Sequence, residues 1–524
     1  MNTQLTERQK SWLMLALLWA LLLVLAGTRP LAVPDEGRYG EIGRWMLQSG
    51  DWLTPRLNGL PFFHKPPYLY WFEALALASF GVNELALRLV PALHAGLMLL
   101  SLYWAARRIG DEYLARRACL MLGTSLSFLM GGQYLNHDML VASWIAVAIW
   151  CFAFSFQAGA KPQPAMARLG FVACALGVLS KGLIGLALPG LVLLLWLLWN
   201  RQLKKMLYLP WLSGLLLFGL IALPWFVLVQ QQHPDALGYL FGNHQLQRYT
   251  ATTFNNARPW WFYLLALALM LFPWVFFALR ALGGPKSQAL GEQPLMAKEW
   301  HSLCWIWLGV ILVFFSIPNS KLLGYILPAV PPLTLLSALG WHHSMGQRAA
   351  AGKIFTGLCL LTLGLAVTFN FSVAQLTRDK RSQDVAAVLA CAAQATDNLY
   401  VAGRYPYDLP FYLQLAKPLI VIQDWDQARQ KAGDGWQREM FEAANFDTVA
   451  GQVLKMPDAL AQAAIQTGNW LLTPKAEERV ATGSAWTLFY QGAGWTLFRS
   501  GLPLAAESPV TTEHKGLPGC KNQR

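Results

Sequence analysis

From residue 12 to residue 373 the chain alternates long apolar runs with short polar breaks. The runs are 12–33, 88–106, 114–134, 139–157, 169–180, 184–199, 209–229, 260–281, 301–317, 322–341 and 354–373. Roughly 20 apolar residues cross a bilayer as a helix, so the pattern predicts an all-α polytopic membrane bundle of about 11 to 13 transmembrane helices. The pair within 169–199 is short and interrupted, which makes it the least regular part of the count. A secretory signal peptide is the rival for residues 12–33, because Arg8 and Lys10 form a basic head before an apolar core. The length of that run and the spans that follow it favour a crossing.

After about residue 374 the pattern becomes that of a soluble domain. Short apolar runs such as LYVAG, KPLIVIQ and NWLLTP alternate with helix-like stretches around Ser382–Ala395 and Asp458–Thr467. Two Trp-Thr-Leu-Phe runs, 486–489 and 495–498, flank Gln491-Gly492-Ala493-Gly494 and predict a β-hairpin. The expected organisation is a transmembrane domain over 1–373, a small C-terminal α/β domain over 374–504, and a disordered tail over 505–524. Residues 33–87 form the first outward loop of the transmembrane domain, with amphipathic juxtamembrane helices.

Composition agrees: 55% of the residues are hydrophobic and 13% charged, against about 25% charged in soluble domains. The net charge of +13 comes without a basic low-complexity run, which argues against nucleic acid as a partner. Instead, the basic residues sit in short loops. Arg107, Arg108, Arg116 and Arg117, then Arg201, Lys204 and Lys205, then Arg348 and Lys353 all fall on one side if the N-terminus is cytoplasmic. The 33–87 loop, Asn136–Asp138, Lys181, the 230–259 loop and the Ser316–Lys321 turn then share the outer face. The seven cysteines are scattered without CxxC pairs, which indicates neither a disulfide framework nor a zinc site.

The candidate chemistry concentrates between Val33 and Trp71. Pro34 ends the first run, and Asp35 and Glu36 open an amphipathic segment, Gly37 to Leu47, suited to a helix at the interface. A helix cap is the plain alternative for Asp35. Arg38 and Lys65 are placed to hold a phosphate head group, the alternative being basic side chains that reach toward lipid phosphates. Lys181 lies between two apolar runs, where an unpaired charge costs about 2.5–3.5 kcal/mol on insertion scales, so function is favoured over chance.

DEGRYGEIGRWMLQSGDWLTPRLNG followed by FFHKPPYLYW resembles the membrane-embedded C-type glycosyltransferases (family 39-like) that use polyprenyl-phosphate sugars. The bacterial aminoarabinose–lipid A transferases are the nearest group, with protein O-mannosyltransferases more distant. Further matches are Asn136-His137-Asp138, Ser180-Lys181-Gly182, Asn243-His244 with Arg248, Arg258-Pro259-Trp260-Trp261, and Ser320-Lys321 through Tyr325-Ile326-Leu327-Pro328. The resemblance covers roughly residues 10–345. It implies a bacterial inner-membrane enzyme that moves one sugar from an undecaprenyl-phosphate donor, with inversion, to an acceptor at the periplasmic face: lipid A, another envelope glycan or a protein hydroxyl.

By that resemblance Asp35 is the catalytic carboxylate and Asp138 a second acid. Arg38, Lys65, Lys181 and Arg248 bind the donor phosphate, and Glu36, Tyr39 and Tyr325 line the cavity. Cations suit a leaving lipid phosphate, whose charge develops as the bond breaks. The family usually has Glu where this chain has His64, and that Glu shares a divalent metal with the residue matching His244. His64 and His244 are therefore the candidate metal ligands, against a role for His64 within the phosphate site. The rival functions are a flippase or transporter of lipid-linked sugar, disfavoured because no internal repeat is evident, and a non-catalytic scaffold.

Overall fold

The computed structural model describes residues 5–247, 256–284, 295–345, 348–431, 433–481 and 485–501. Arg248 and the expected tail from 505 lie outside the described residues. The chain divides into two compact units. One comprises Met1–Thr28, His64–Leu69 and Arg88–Phe371, the other Arg29–Phe63, Tyr70–Leu87 and Ser372–Arg524. The 33–87 loop thus falls almost wholly with the C-terminal part of the chain.

The first ten α-helices are α1 (Glu7–Ala26), α2 (Asp35–Ser49), α3 (Tyr68–Phe80), α4 (Glu84–Ile109), α5 (Glu112–Gly123), α6 (Leu126–Gln133), α7 (Asp138–Gln157), α8 (Pro164–Lys181), α9 (Ile184–Trp199) and α10 (Trp211–Gln232). Helices Phe262–Met270, Val275–Ala278, Lys298–Ser316, Val330–Met345 and Ala351–Leu376 complete the apolar part. Among the described residues eight helices are long and apolar enough to cross a membrane, and a ninth if Phe262–Met270 and Val275–Ala281, bent by 111°, count as one span.

The apolar run 114–134 does not form one helix. Thr124 and Ser125 interrupt it, and the Ser125 hydroxyl accepts from the Phe128 amide at 3.3 Å to cap a new helix. Its two halves, α5 and α6, are each too short to cross alone. The helices of the first unit enclose a core in which Leu22, Leu102, Cys119, Ile145 and Trp307 are fully buried. Trp150 meets Trp307 edge to face at 4.9 Å, the arrangement that aromatic quadrupoles favour.

In the second unit a six-stranded sheet runs in the order β5-β4-β3-β6-β8-β7, with β3 (Asn398–Ala402), β4 (Ile420–Ile422), β5 (Leu454–Lys455), β6 (Asn469–Pro474), β7 (Trp486–Gln491) and β8 (Trp495–Ser500). Strands β3 to β6 pair in parallel, while β8 runs antiparallel to both β6 and β7. The doubled Trp-Thr-Leu-Phe does form a hairpin, with an irregularity between Leu488 and Tyr490. All six residues of β6 are buried, as a near-continuous apolar run in a central strand requires.

A second hairpin, β1 (Arg56–Leu57) with β2 (Leu60–Pro61), closes this unit. Asn58 and Gly59 turn it with φ of 55° and 77°, the left-handed pair that Asn-Gly supplies in a two-residue turn. The Asn58 amide then exchanges two hydrogen bonds with the Leu419 backbone, at 3.0 and 2.7 Å. Arg56 reaches Asp447 at 2.9 Å.

Two expectations change here. Helix α2 does not present a free amphipathic face: Glu36, Gly37, Gly40, Glu41, Ile42, Gly43, Arg44 and Met46 are all buried. Its polar positions are satisfied by short ion pairs, Glu41 with Arg44 at 2.6 Å and Glu36 with Arg29 at 2.6 Å. A disulfide that the scattered spacing did not indicate is also present, at Cys391. The other described cysteines, at 119, 151, 174, 304 and 359, are free and buried.

Helix α3 brings one carboxyl into this interior. Glu73 is fully buried against Gly43, where an added Cβ would lie 2.6 Å from the Glu73 side chain. Its oxygens find no hydrogen-bond partner among the described residues. Burial pushes its pKa well above the ordinary carboxyl value, so the group is protonated in the fold. A raised folded-state pKa contributes stability below the unfolded value, near 4.3, and loses it as pH rises through the folded one. Glu73→Gln keeps the shape without the titration. Its thermal unfolding in detergent is expected to match wild type in acid and to exceed it increasingly in alkali.

Candidate active site

Sequence reasoning singled out charged and aromatic residues that the structure gathers in two places, one in each unit.

In the first unit two apolar helices pack side by side and bring polar residues together at one end of the pair. Helix α7 starts at Asp138 and α8 ends at Lys181, immediately before Gly182. Gly182 has φ of 96°, which L side chains rarely adopt and glycine adopts without cost, so the helix terminates with Lys181 in its last turn. Lys181 Nζ forms a short ion pair with Asp138 Oδ1, and both side chains are only 9% exposed.

Asn136 holds the other face of that carboxylate. Its Nδ2 donates to Asp138 Oδ2 at 3.0 Å, and its Oδ1 accepts from the Asp138 amide at 2.9 Å. Lys181 also lies 3.9 Å from the centre of the Tyr325 ring, a cation–π contact. The floor at this point is backbone, because a Cβ on Gly324 would overlap the Asp138 carboxylate. Lys181 is thus paired with a carboxylate and a ring and does not extend to lipid.

His137 precedes Asp138 and is buried. Burial, and then the nearby Lys65 and Lys181, hold its pKa well below the ordinary histidine value. Three residues that sequence motifs brought up separately therefore share one electrostatic neighbourhood. His64, the neighbour of Lys65, has its Nε2 3.1 Å from the Tyr239 hydroxyl. Tyr239 lies in the π-helical segment Gly238–Gln247, which also carries His244; the His244 side chain and Arg248 are outside the described residues. Among the described residues no group of three or more His, Cys, Asp or Glu could hold a metal ion. The expected His64–His244 metal pair therefore lies partly outside the described residues.

Nearby, Lys321 is buried and donates to the Arg258 carbonyl at 3.1 Å and to the Pro318 carbonyl. It ties the Arg258 strand to the Asn319-Ser320 turn, where Ala257 and Ser320 form a β-bridge.

In the second unit Pro34 occupies the cap position of α2 and no side chain caps the helix. Asp35 is instead in the first turn, where the helix dipole favours its charge, and its side chain is 37% exposed. The expectation for Glu36 is corrected: it does not line a cavity. It is fully buried, accepts from Arg29 at 2.6 and 3.0 Å and accepts from the Ala32 amide at 2.7 Å. Successive helical residues point about 100° apart, so one of two adjacent carboxylates faces inward and the other does not.

Arg38, one turn on from Asp35, lies 3.7 Å from it and 3.3 Å from Glu439. The guanidinium sits 4.7 Å from the Tyr407 ring centre, and Tyr407 donates its hydroxyl to Glu439 at 2.5 Å. Tyr39 faces Tyr70, with ring centres 6.3 Å apart. Glu439 and Tyr407 escaped the sequence reading. No local pattern marks them, and only the fold of the C-terminal region brings them to α2.

Comparisons with known proteins bear on the family and the fold. Residues 10–240 match the family model described as dolichyl-phosphate-mannose-protein mannosyltransferase. An undecaprenyl phosphate-alpha-4-amino-4-deoxy-L-arabinose arabinosyl transferase from Pseudomonas fluorescens is 33% identical over 387 residues, covering 70% of this chain and 67% of that protein. One from Sodalis glossinidius is 35% identical, covering 81% of this chain and 72% of its own length.

Among solved structures, ArnT from Cupriavidus metallidurans bound to undecaprenyl phosphate superposes with a TM-score of 0.78 at 24% identity, covering 95% of this chain and 99% of that one. The Archaeoglobus fulgidus oligosaccharyltransferase gives 0.52 at 12% identity, with 95% and 75% covered; these two likenesses bear on the fold alone. The relatives named here are transferases, and none is a flippase. A multi-pass helical chain with acids and cations at its polar turns, a third identical to these enzymes over most of its length, belongs to the family of polyprenyl-phosphate-sugar glycosyltransferases that includes the undecaprenyl phosphate–aminoarabinose arabinosyl transferases.

Proposed function

We propose that this glycosyltransferase moves a single sugar from undecaprenyl phosphate to an acceptor on the outer face of the inner membrane, with a hydroxyl or phosphate oxygen of lipid A as the acceptor. The observation that carries this reading is the buried Asp138–Lys181 pair, with Lys65 and His137 beside it, in a chain a third identical to transferases of that donor class. In the reaction the acceptor oxygen attacks the sugar's anomeric carbon from the face opposite the lipid phosphate. The carbon–oxygen bond to phosphate breaks, the electron pair leaves with the phosphate, and the anomeric configuration inverts.

By the family resemblance, and not by their placement, Lys65, Lys181, Arg38 and Arg248 are assigned to neutralise the charge that develops on that phosphate. Asp35 takes the acceptor's proton or orients the acceptor, and Asp138 holds the Lys181 ammonium. His137, kept neutral by burial, is a hydrogen-bonding group and adds no further positive charge to the site.

Two observations support a cytoplasmic N-terminus and an outer C-terminal α/β domain of residues 374–504. The basic loops favour one side, and the Cys391 disulfide suits an oxidising compartment. Adding the bent pair, the 16-residue α9 and the broken α5–α6 to the eight long helices gives eleven crossings, an odd number that puts the termini on opposite sides.

Mass spectrometry of lipid A and envelope glycans from cells with and without the gene tests the reading. Loss of one sugar mass from lipid A is expected, and unchanged lipid A with loss of a sugar elsewhere would move the acceptor. Lys65 gives a narrower test in the purified protein. Undecaprenyl phosphate stabilises the wild type by mass action, about 2.7 kcal/mol at a hundred times its Kd, and Lys65→Ala is expected to lose most of that thermal shift. Equal shifts in both proteins would place the phosphate elsewhere.

A further inference from the structure

The Arg38 guanidinium has two carboxylates within reach, and the closer one is not its helical neighbour. Glu439 is at 3.3 Å and Asp35 at 3.7 Å. Glu439 sits on the helix Trp436–Ala444 and is only 8% exposed, and its second oxygen accepts the Tyr407 hydroxyl. The Tyr407 ring lies against the same guanidinium. The Tyr407–Asp408 backbone is held tightly to α2, since a Cβ on Gly37 would stand 2.8 Å from the Asp408 nitrogen and 2.9 Å from the Tyr407 carbonyl carbon. Asp408 in turn accepts from the Ser382 amide at 3.0 Å and hydroxyl at 2.8 Å. Ring, carboxylate and backbone all come from the C-terminal region, and all converge on one arginine.

We propose that Glu439, steadied by Tyr407, is a positioning residue for sugar transfer: it draws the Arg38 guanidinium aside so that Arg38 does not close a short ion pair with Asp35. The inference rests on the reading that Asp35 and Arg38 serve transfer. A guanidinium only 18% exposed seeks the nearest carboxylate, because an uncompensated charge in a largely enclosed setting is costly. With Glu439 neutralised, Asp35 is the acid left beside it, and the 3.7 Å contact is expected to shorten. A carboxylate clamped in that way is both misdirected and a weaker base. The C-terminal region thereby sets the geometry of α2, the helix that carries Asp35.

The test uses the full-length protein in detergent, with undecaprenyl-phosphate aminoarabinose as donor and lipid A as acceptor. Glu439→Gln keeps the size of the side chain and an acceptor for Tyr407. It is expected to lower kcat about ten- to a hundredfold, the scale of an ångström-level misplacement, with donor KM little changed. Glu439→Asp is expected to recover part of the rate. Tyr407→Phe, which removes only the hydroxyl, is expected to show a smaller loss of the same kind.

The deciding measurement is a double-mutant cycle. If Glu439 acts through Arg38, then Glu439→Gln adds almost nothing to an Arg38→Lys protein, whereas a merely structural loss multiplies with it. Multiplying losses, or Glu439→Gln at the wild-type rate, overturn the inference and leave the site reading intact. Arg38→Lys at the wild-type rate, or a wild type inert with this donor and acceptor, overturns both.

Discussion

Asp35→Asn is expected to reduce sugar transfer about 10²–10⁴-fold, the range for losing a positioned general base, while the protein still folds and inserts. The substitution keeps the size of the side chain and removes its charge and basicity. What it costs the fold is small. Pro34, and not Asp35, holds the cap position, so the loss is of a favourable charge in the first helical turn, about 0.3–1 kcal/mol, and of a long, 3.7 Å contact with Arg38. Rate and stability therefore separate: transfer measured with labelled donor in membranes collapses, and the unfolding temperature moves little. Activity near wild type with a lowered unfolding temperature would make Asp35 a structural residue of α2.

The second large effect falls on the Asp138–Lys181 pair, where stability and activity move together in single variants and come apart in the double. Breaking a buried ion pair by removing one partner costs about 3–5 kcal/mol, because the other charge is left uncompensated. Lys181→Met strands the Asp138 carboxylate, to which the Asn136 side-chain amide still donates, and Asp138→Leu strands the ammonium. Both are expected to unfold at markedly lower temperature. The double variant removes both charges, and replacement of a buried pair by apolar residues is often close to neutral. It is expected to regain much of the lost stability and yet transfer no sugar. Loss of one preorganised cation at a developing phosphate costs about 10²–10³ in rate. A double variant that is stable and active would reduce the pair to a structural device.

What the chain revealed before folding was whatever depends on local periodicity. The apolar runs gave most of the long helices, and the repeated Trp-Thr-Leu-Phe gave β7 and β8, because spacing alone carries that information. The run 114–134 misled because hydropathy averages over the Thr124-Ser125 break, where the backbone restarts a helix. Lys181 could be read as needing a partner, since a charge among apolar residues must find one, but nothing in the sequence named Asp138.

The choice between Asp35 and Glu36 was harder. Which of the two carboxylates turns inward depends on Arg29, and Glu36 lies buried against it. The Arg38–Glu439–Tyr407 cluster is further from view, because its members approach only after a parallel sheet of distant strands has formed. The Cys391 disulfide was likewise hidden, as scattered cysteines carry no spacing signal.

The grouping of residues 29–63 and 70–87 with the C-terminal region bears on how such enzymes can be recombined. Asn58 bonds to the Leu419 backbone, Arg56 to Asp447, Arg44 to the Leu415 carbonyl, and Gly37 abuts Tyr407 and Asp408. A chimera that exchanges only the segment after residue 371 with a relative's would mate two foreign surfaces at all four of these places. Exchange of the loop and the C-terminal segment together would carry the contacts intact, so the unit of inheritance here is discontinuous in sequence. Substitutions that drift in one segment are tolerated only where the other has answered them.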